Sequence, residues 1–176
     1  MGLAIVGAIF LSKGEVSLLI YGLIGLALLV GGVIGWLIAV KVEMTKMPEL
    51  VSLFNGFGGA SAALIALVEF GNITSATEAT VFATIISGVV IGAITFSGSL
   101  IAWGKLNGSV KSVVKIPQYN LVNNLFFVAI IAAAVYMVAM GIDGQLFAYA
   151  LLAAGLVYGI LFVLPIGGAD MPVVIS

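Results

Sequence analysis

The chain has no cysteine, no histidine and no arginine, and only 7% of its 176 residues are charged. Without cysteine there are no disulfides and no thiolate nucleophile. Without histidine as well, the usual zinc and haem ligand sets, Ser-His-Asp triads and imidazole proton relays are excluded. Lacking arginine, the chain cannot clamp phosphate or carboxylate bidentately. Lysine supplies all six cations against seven carboxylates, a net charge of −1 that leaves no basic excess for nucleic acid. Chemistry therefore rests on a few carboxylates, lysines, amides and hydroxyls.

What is abundant is apolar side chain: 63% of residues are hydrophobic and the mean hydropathy is +1.35. A soluble core of this size cannot hide so much apolar surface, so lipid is its natural solvent. The charges themselves cut the chain into spans. Uncharged runs of 25, 19, 26, 27 and 26 residues lie between Glu15 and Lys41, Glu49 and Glu69, Glu78 and Lys105, Lys115 and Asp143, and Asp143 and Asp170. A spanning helix needs roughly 20 apolar residues. Pro48, Pro117, Pro165 and Pro172 all fall at predicted helix ends, where a missing N–H is tolerated. The expected fold is an all-α, polytopic transmembrane helix bundle of five full spans, with partial helices at both ends. Met1–Ser12 reads as half of a spanning helix whose beginning is missing, or else as a re-entrant piece, and Met171–Ser176 as the first turns of another helix. The whole of 1–176 is expected to be one transmembrane domain with no nucleotide-binding domain. Lysine placement sets the orientation. Lys41, Lys46, Lys105, Lys111 and Lys115 occupy the connections 41–49 and 104–119, whereas the opposite connections hold only Lys13. The lysine-rich side is the cytoplasmic one.

Several polar or small residues could carry function. Asn55 sits in Leu53-Phe54-Asn55-Gly56-Phe57-Gly58-Gly59-Ala60-Ser61 on the third segment. The glycines there suit close helix packing, but an amide in lipid needs a partner, and it can orient water or relay hydrogen bonds without changing charge. Gly-Phe-Gly-Gly is no dinucleotide fingerprint, because no strand precedes it. Glu69 and Glu78 read as solvated carboxylates at the outer rim. Gly31 with Gly35, Gly88 with Gly92, and Gly155 with Gly159 repeat a four-residue spacing typical of helix seams. Ser97 and Ser99 either bond back to their own helix or line a wet channel with Asn55. Asn120, Asn123 and Asn124 lie near the lysine-rich interface, where an amide costs little. Lys105, Lys111 and Lys115 read most simply as the topology signal, or else as a surface that receives an anionic partner. Asp170, in Gly167-Gly168-Ala169-Asp170-Met171-Pro172, is either a helix N-terminal cap or a docking point for a cytoplasmic partner. Met47-Pro48-Glu49-Leu50-Val51-Ser52 recurs as Met171-Pro172-Val173-Val174-Ile175-Ser176, and both copies open a helix from the same side.

Three ordered stretches carry a resemblance: Lys41-Val42-Glu43-Met44-Thr45-Lys46-Met47-Pro48-Glu49-Leu50-Val51; Gly92 to Ser99 with Gly104-Lys105-Leu106; and Gly167-Gly168-Ala169-Asp170-Met171-Pro172-Val173-Val174. Together they resemble the membrane part of the beta subunit of proton-translocating NAD(P) transhydrogenase. The resemblance implies coupling of hydride transfer from NADH to NADP⁺ to proton passage across a bacterial inner membrane. It also implies an alpha-subunit partner that binds NAD(H), an NADP(H)-binding domain continuing the beta subunit, and a dimer of alpha–beta units. No catalytic, cofactor-binding or metal-binding residue is expected in this chain; NAD(H) and NADP(H) belong to the whole enzyme. The family's channel asparagine follows the second Met-Pro motif by eight residues from its Met, and the same spacing from Met47 lands on Asn55. The resemblance therefore implies a proton pathway through Asn55, Ser97 and Ser99, and a coupling role toward the NADP(H) domain for Asp170. Two rivals stand beside it: a secondary transporter with a glycine-interrupted helix as its substrate site, and a purely structural membrane subunit.

Overall fold

The computed structural model describes residues 18–73, 78–110 and 118–167. The expected partial helices at both ends, the second Met-Pro copy, Asp170, Lys111 and Lys115 lie outside the described residues. Five helices cover the rest: α1 (Leu18–Lys41), α2 (Met47–Phe70), α3 (Ala79–Leu106), α4 (Tyr119–Met140) and α5 (Gln145–Val163). All five are long and apolar enough to cross a membrane. The shortest, 19 residues, reaches about 28 Å at 1.5 Å per residue, close to the hydrocarbon thickness. The charge-defined spans and the observed helices coincide because lipid leaves backbone polar groups no partner but the helix itself.

The chain divides into two compact units, Met1–Met44 and Thr45–Ser176. In the first, the described element is α1, whose end is closed by the Val42 N–H on the Ile38 carbonyl. In the second, a short 3-10 turn leads into α2, which starts with Pro48 in its first turn and Glu49 beside it. A proline there forfeits no helical hydrogen bond, and a carboxylate favours the positive end of the helix dipole. Helix α3 is central: it packs on α2, α4 and α5, while α4 also lies on α5 and α2 touches α5 lightly. The termination of α4 is local. Gly141 takes a φ of 62°, and the Gly141 and Ile142 N–H groups close on the Val138 and Met137 carbonyls. A side chain would strain that left-handed backbone, which glycine adopts freely.

Bulky residues fill the bundle around Phe70, Phe82, Ile86, Val90, Ile130, Met137, Leu151 and Tyr158. Phe70 and Phe82 place their rings 6.0 Å apart and bind the end of α2 to the start of α3. Ile86 is 1% exposed, so Ile86→Ala should cost roughly 2–5 kcal/mol of helix-packing stability, read as a lowered unfolding midpoint in detergent. Large apolar side chains such as Phe54, Leu64, Leu125 and Leu146 face outward. In lipid such exposure needs no compensation, so close packing rather than apolar burial holds the helices together.

Candidate functional site

The site begins with a glycine seam. Gly59 on α2 and Gly92 on α3 bring the two backbones into contact. A methyl built on Gly92 would sit 2.6 Å from the Ala63 nitrogen and 2.7 Å from the Gly59 carbonyl oxygen; one on Gly59 would sit 2.7 Å from the Phe96 nitrogen. Gly56 continues the seam, its missing methyl 3.2 Å from the Ser99 Cβ. Such an approach lets short polar side chains bridge two helices in lipid. Ser52, 0% exposed, donates to the Ser99 carbonyl at 2.8 Å. The Asn55 side-chain Nδ2 donates to the Ser99 hydroxyl at 2.9 Å.

Asn55 is only partly used by that bond. Asn55 is an exposed residue of α2, and the bond with Ser99 uses one of its two N–H donors and not its carbonyl oxygen. Beside it a cavity of about 180 Å³ opens between α2, α3 and α5, lined among others by Asn55, Thr95, Gly98, Ser99, Gly159 and Phe162. That is room for several water molecules next to an amide and a hydroxyl.

Ser97 belongs elsewhere. Its hydroxyl donates back to the Ala93 carbonyl at 3.0 Å, with Ile94 at 3.4 Å, and it lies against Gly159 of α5. Ser97 and Ser99 are two positions apart, about 200° around a helix, so the two hydroxyls serve opposite seams. Asn55 and Ser99 thus meet, and Ser97 does not join them. Asp170 lies outside the described residues. Glu69 and Glu78 are both exposed where α2 ends and α3 begins, and Glu78 accepts from the Thr80 hydroxyl at 3.4 Å. The Gly155 and Gly159 spacing marks a true seam: methyls there would strike the Ala93 Cβ at 2.9 Å and the Ile94 carbonyl at 2.5 Å.

Two residues make contacts that the sequence reading did not anticipate. Lys105, taken as a topology signal, is 8% exposed and turned inward. Its ammonium donates to the carbonyls of Val163 at 3.0 Å and Ile166 at 2.7 Å, and also to that of Leu164. Charge counting tells which side a lysine lies on, not where its head points. Asn123, taken as an inexpensive interfacial amide, is 7% exposed; its Nδ2 donates to the Tyr158 hydroxyl at 3.3 Å, and its Oδ1 has no hydrogen-bond partner among the described residues. Tyr119, which the sequence did not single out, donates to the Phe162 carbonyl at 2.9 Å and to that of Leu161 at 3.1 Å. The aromatic rings of Phe127 and Phe162 stack on Tyr158 at 5.3 and 6.0 Å.

Five apolar helices, seams of small residues and a hydrogen-bonded amide at the edge of a largely apolar cavity define an integral membrane protein of the helical-bundle class. All of residues 1–176 match the family model described as NAD(P) transhydrogenase beta subunit, and the chain belongs to that family. Two curated relatives, both named NAD(P) transhydrogenase subunit beta and both from Rhodospirillum rubrum, the second from a designated strain, are each 38% identical over 184 aligned positions. The alignments take in all of this chain and 39% of each relative, so the chain spans about two fifths of the length of the relatives it matches.

Proposed function

We propose that this chain is part of the proton-conducting membrane domain of a NAD(P) transhydrogenase, with Asn55 and Ser99 as its polar relay. The observation that carries the proposal is the Asn55–Ser99 bond at 2.9 Å on the edge of a cavity between three spanning helices. An amide that uses one N–H for positioning keeps a donor and an acceptor for water. It passes hydrogen bonds on without bearing charge, which lipid penalises. The Ser99 hydroxyl accepts from Asn55 and retains its own proton to donate. Ser97 contributes by shaping the α3–α5 seam rather than by touching this pair.

Nucleotide chemistry belongs to other parts of the enzyme. The residues here do not fit a nicotinamide site: Gly56-Phe57-Gly58-Gly59 lies inside α2, with Gly56 and Gly59 pressed on α3, and forms no strand-to-helix phosphate loop. In this reading NAD(H) is held by the alpha subunit and NADP(H) by a further domain of the beta subunit, both on the lysine-rich, cytoplasmic side of a bacterial inner membrane. Hydride passes from NADH to NADP⁺ there, in a dimer of alpha–beta units, and Asp170 communicates with the NADP(H) domain.

The test is Asn55→Leu in the assembled enzyme. Proton-coupled turnover should fall about tenfold with assembly unchanged, since the loss of one intramembrane polar partner is worth roughly 1–2 kcal/mol. Coupled turnover at the parent level would sink the relay. A solute flux independent of nicotinamide nucleotides would favour a secondary transporter instead.

A further inference from the structure

We propose that Lys105 is a positioning residue that locks the C-terminal end of α5 to α3, so that the relay helix and the chain leaving α5 move as one body. The inference rests on the relay reading above and deepens it by naming what the relay would move.

The four last carbonyls of a helix have no partner within it. Helix α4 solves this with its own glycine turn, but α5 does not. Leu164, the residue after its last turn, stays in the right-handed helical conformation, and no glycine closes the end. Donors from two other helices finish it. Tyr119 of α4 serves Leu161 and Phe162, and Lys105 of α3 serves Val163 and continues to Leu164 and Ile166. The Ile160 and Val163 carbonyls also receive the Leu164 and Ile166 N–H groups, so the accounting for this end is complete.

A lysine ammonium has three donors and no acceptor, and here each donor meets a carbonyl. A lysine that only marked the membrane boundary would extend its head into water. Lys105 instead brings its charge to the negative end of the α5 dipole, where a cation is favoured. Its backbone sits in a tight frame: Gly104 accepts the Val110 N–H at 2.8 Å, and a methyl on Gly104 would press on the Val110 side chain at 3.0 Å.

The consequence is mechanical. Ser99 lies six residues before Lys105 on the same helix, about 9 Å along its axis. Val163 and Phe162 line the cavity beside Asn55 and Ser99 while their carbonyls are held by Lys105 and Tyr119. Any shift of α3 that changes the Asn55–Ser99 bond is therefore passed to residues 164–167, and any pull on that turn returns to the cavity. The chain runs from that turn directly into Gly167-Gly168-Ala169-Asp170.

The experiment compares Lys105→Met, which keeps the apolar stem, with Lys105→Arg, which keeps charge and donors, in the whole reconstituted enzyme. Two quantities are read per assembled enzyme: proton-coupled turnover, and hydrogen exchange of the Leu164 and Ile166 amides. Lys105→Met should lower turnover about tenfold and speed exchange several-fold; Lys105→Arg should bring both back to within about threefold of the parent. A reduced yield of enzyme with parent turnover per molecule would overturn the proposal, and so would lost turnover with unchanged exchange. Should Lys105→Met fail to assemble, Lys105→Gln, neutral but still a donor, is judged by the same two readings. Asn55→Leu runs alongside. Its loss of turnover with Lys105→Met unaffected overturns the Lys105 role alone, and no loss in either variant overturns the relay as well.

Discussion

Replacing Gly92 with valine should drive α2 from α3 and remove both stability and coupled activity. The neighbours of the missing side chain are backbone: the Ala63 nitrogen at 2.6 Å, the Gly59 carbonyl at 2.7 Å and the Ala63 Cα at 3.0 Å from where a Cβ would stand. None can rotate away, so even alanine forces the helices apart, and a branched side chain forces them further. Overpacking of this kind costs at least about 3 kcal/mol, the upper part of the usual range, because no flexible group can yield. The polar consequences follow from distance. Ser52 and Asn55 reach Ser99 at 2.8 and 2.9 Å across this seam, and a hydrogen bond is lost beyond about 3.5 Å. Gly92→Val should therefore lower the unfolding midpoint in detergent and abolish turnover together. The neighbouring glycines calibrate the result. Gly88 faces the Ala66 methyl at 3.0 Å, so Gly88→Ala should cost less; Gly58 has nothing within 4 Å, so Gly58→Ala should leave the midpoint within about 0.5 kcal/mol of the parent. Equal effects at Gly92 and Gly58 would mean that the seam is not where the structure puts it.

Those glycines also mark how far the sequence could be read. The five spans were legible because a charge in lipid is costly, so charges collect at helix ends and the gaps between them measure the membrane. The four-residue glycine spacings on α3 and α5 were legible as seams, and Gly92, Gly155 and Gly159 do bring helices together, whereas Gly31 and Gly35 on α1 have nothing within 4 Å of where a methyl would stand. Their partners were not legible. Gly92 meets Gly59, which belongs to no such pair, and Gly155 and Gly159 meet α3. Spacing along one helix fixes a face but not which helix it faces. Asn55 and Ser99 could each be named from chemistry, while the bond between them depends on the rotation of two helices and only the packing sets that. The separation of Ser97 from Ser99 was available from helical arithmetic, since neighbours two apart point nearly opposite ways. The inward contacts of Lys105 were not legible for a different reason. The rule that orients a membrane protein uses lysine as a count, whereas the end of α5 uses this one as a cap, and the unfinished carbonyls come within its reach only once α3 and α5 lie side by side.

The α3–α5 seam carries the other large effect. A methyl on Gly159 would stand 2.5 Å from the Ile94 carbonyl and 3.0 Å from the Gly98 nitrogen, and would overlap the Ser97 hydroxyl. Gly159→Ala should push α5 outward at the level of the cavity, because two of these three obstacles are backbone. The expected cost is about 2–3 kcal/mol in stability. The Asn55–Ser99 bond faces α2, so it survives; what changes is the wall of the cavity formed by Gly159, Phe162 and Val163. Coupled turnover should therefore fall while α2 and α3 stay paired, which separates the cavity from the hydrogen bond as the object of the loss. The third obstacle allows a sharper test. The Ser97 hydroxyl is held on the Ala93 carbonyl at 3.0 Å and cannot swing clear without giving up that bond. Removing it should make room, so Ser97→Ala combined with Gly159→Ala should be less destabilised than the sum of the single variants, by about 1 kcal/mol in a double-mutant cycle. The relief stays partial because the Ile94 carbonyl does not move. Strict additivity would show that Ser97 and Gly159 do not touch, and the assignment of Ser97 to the α5 seam rather than to the relay would fall with it.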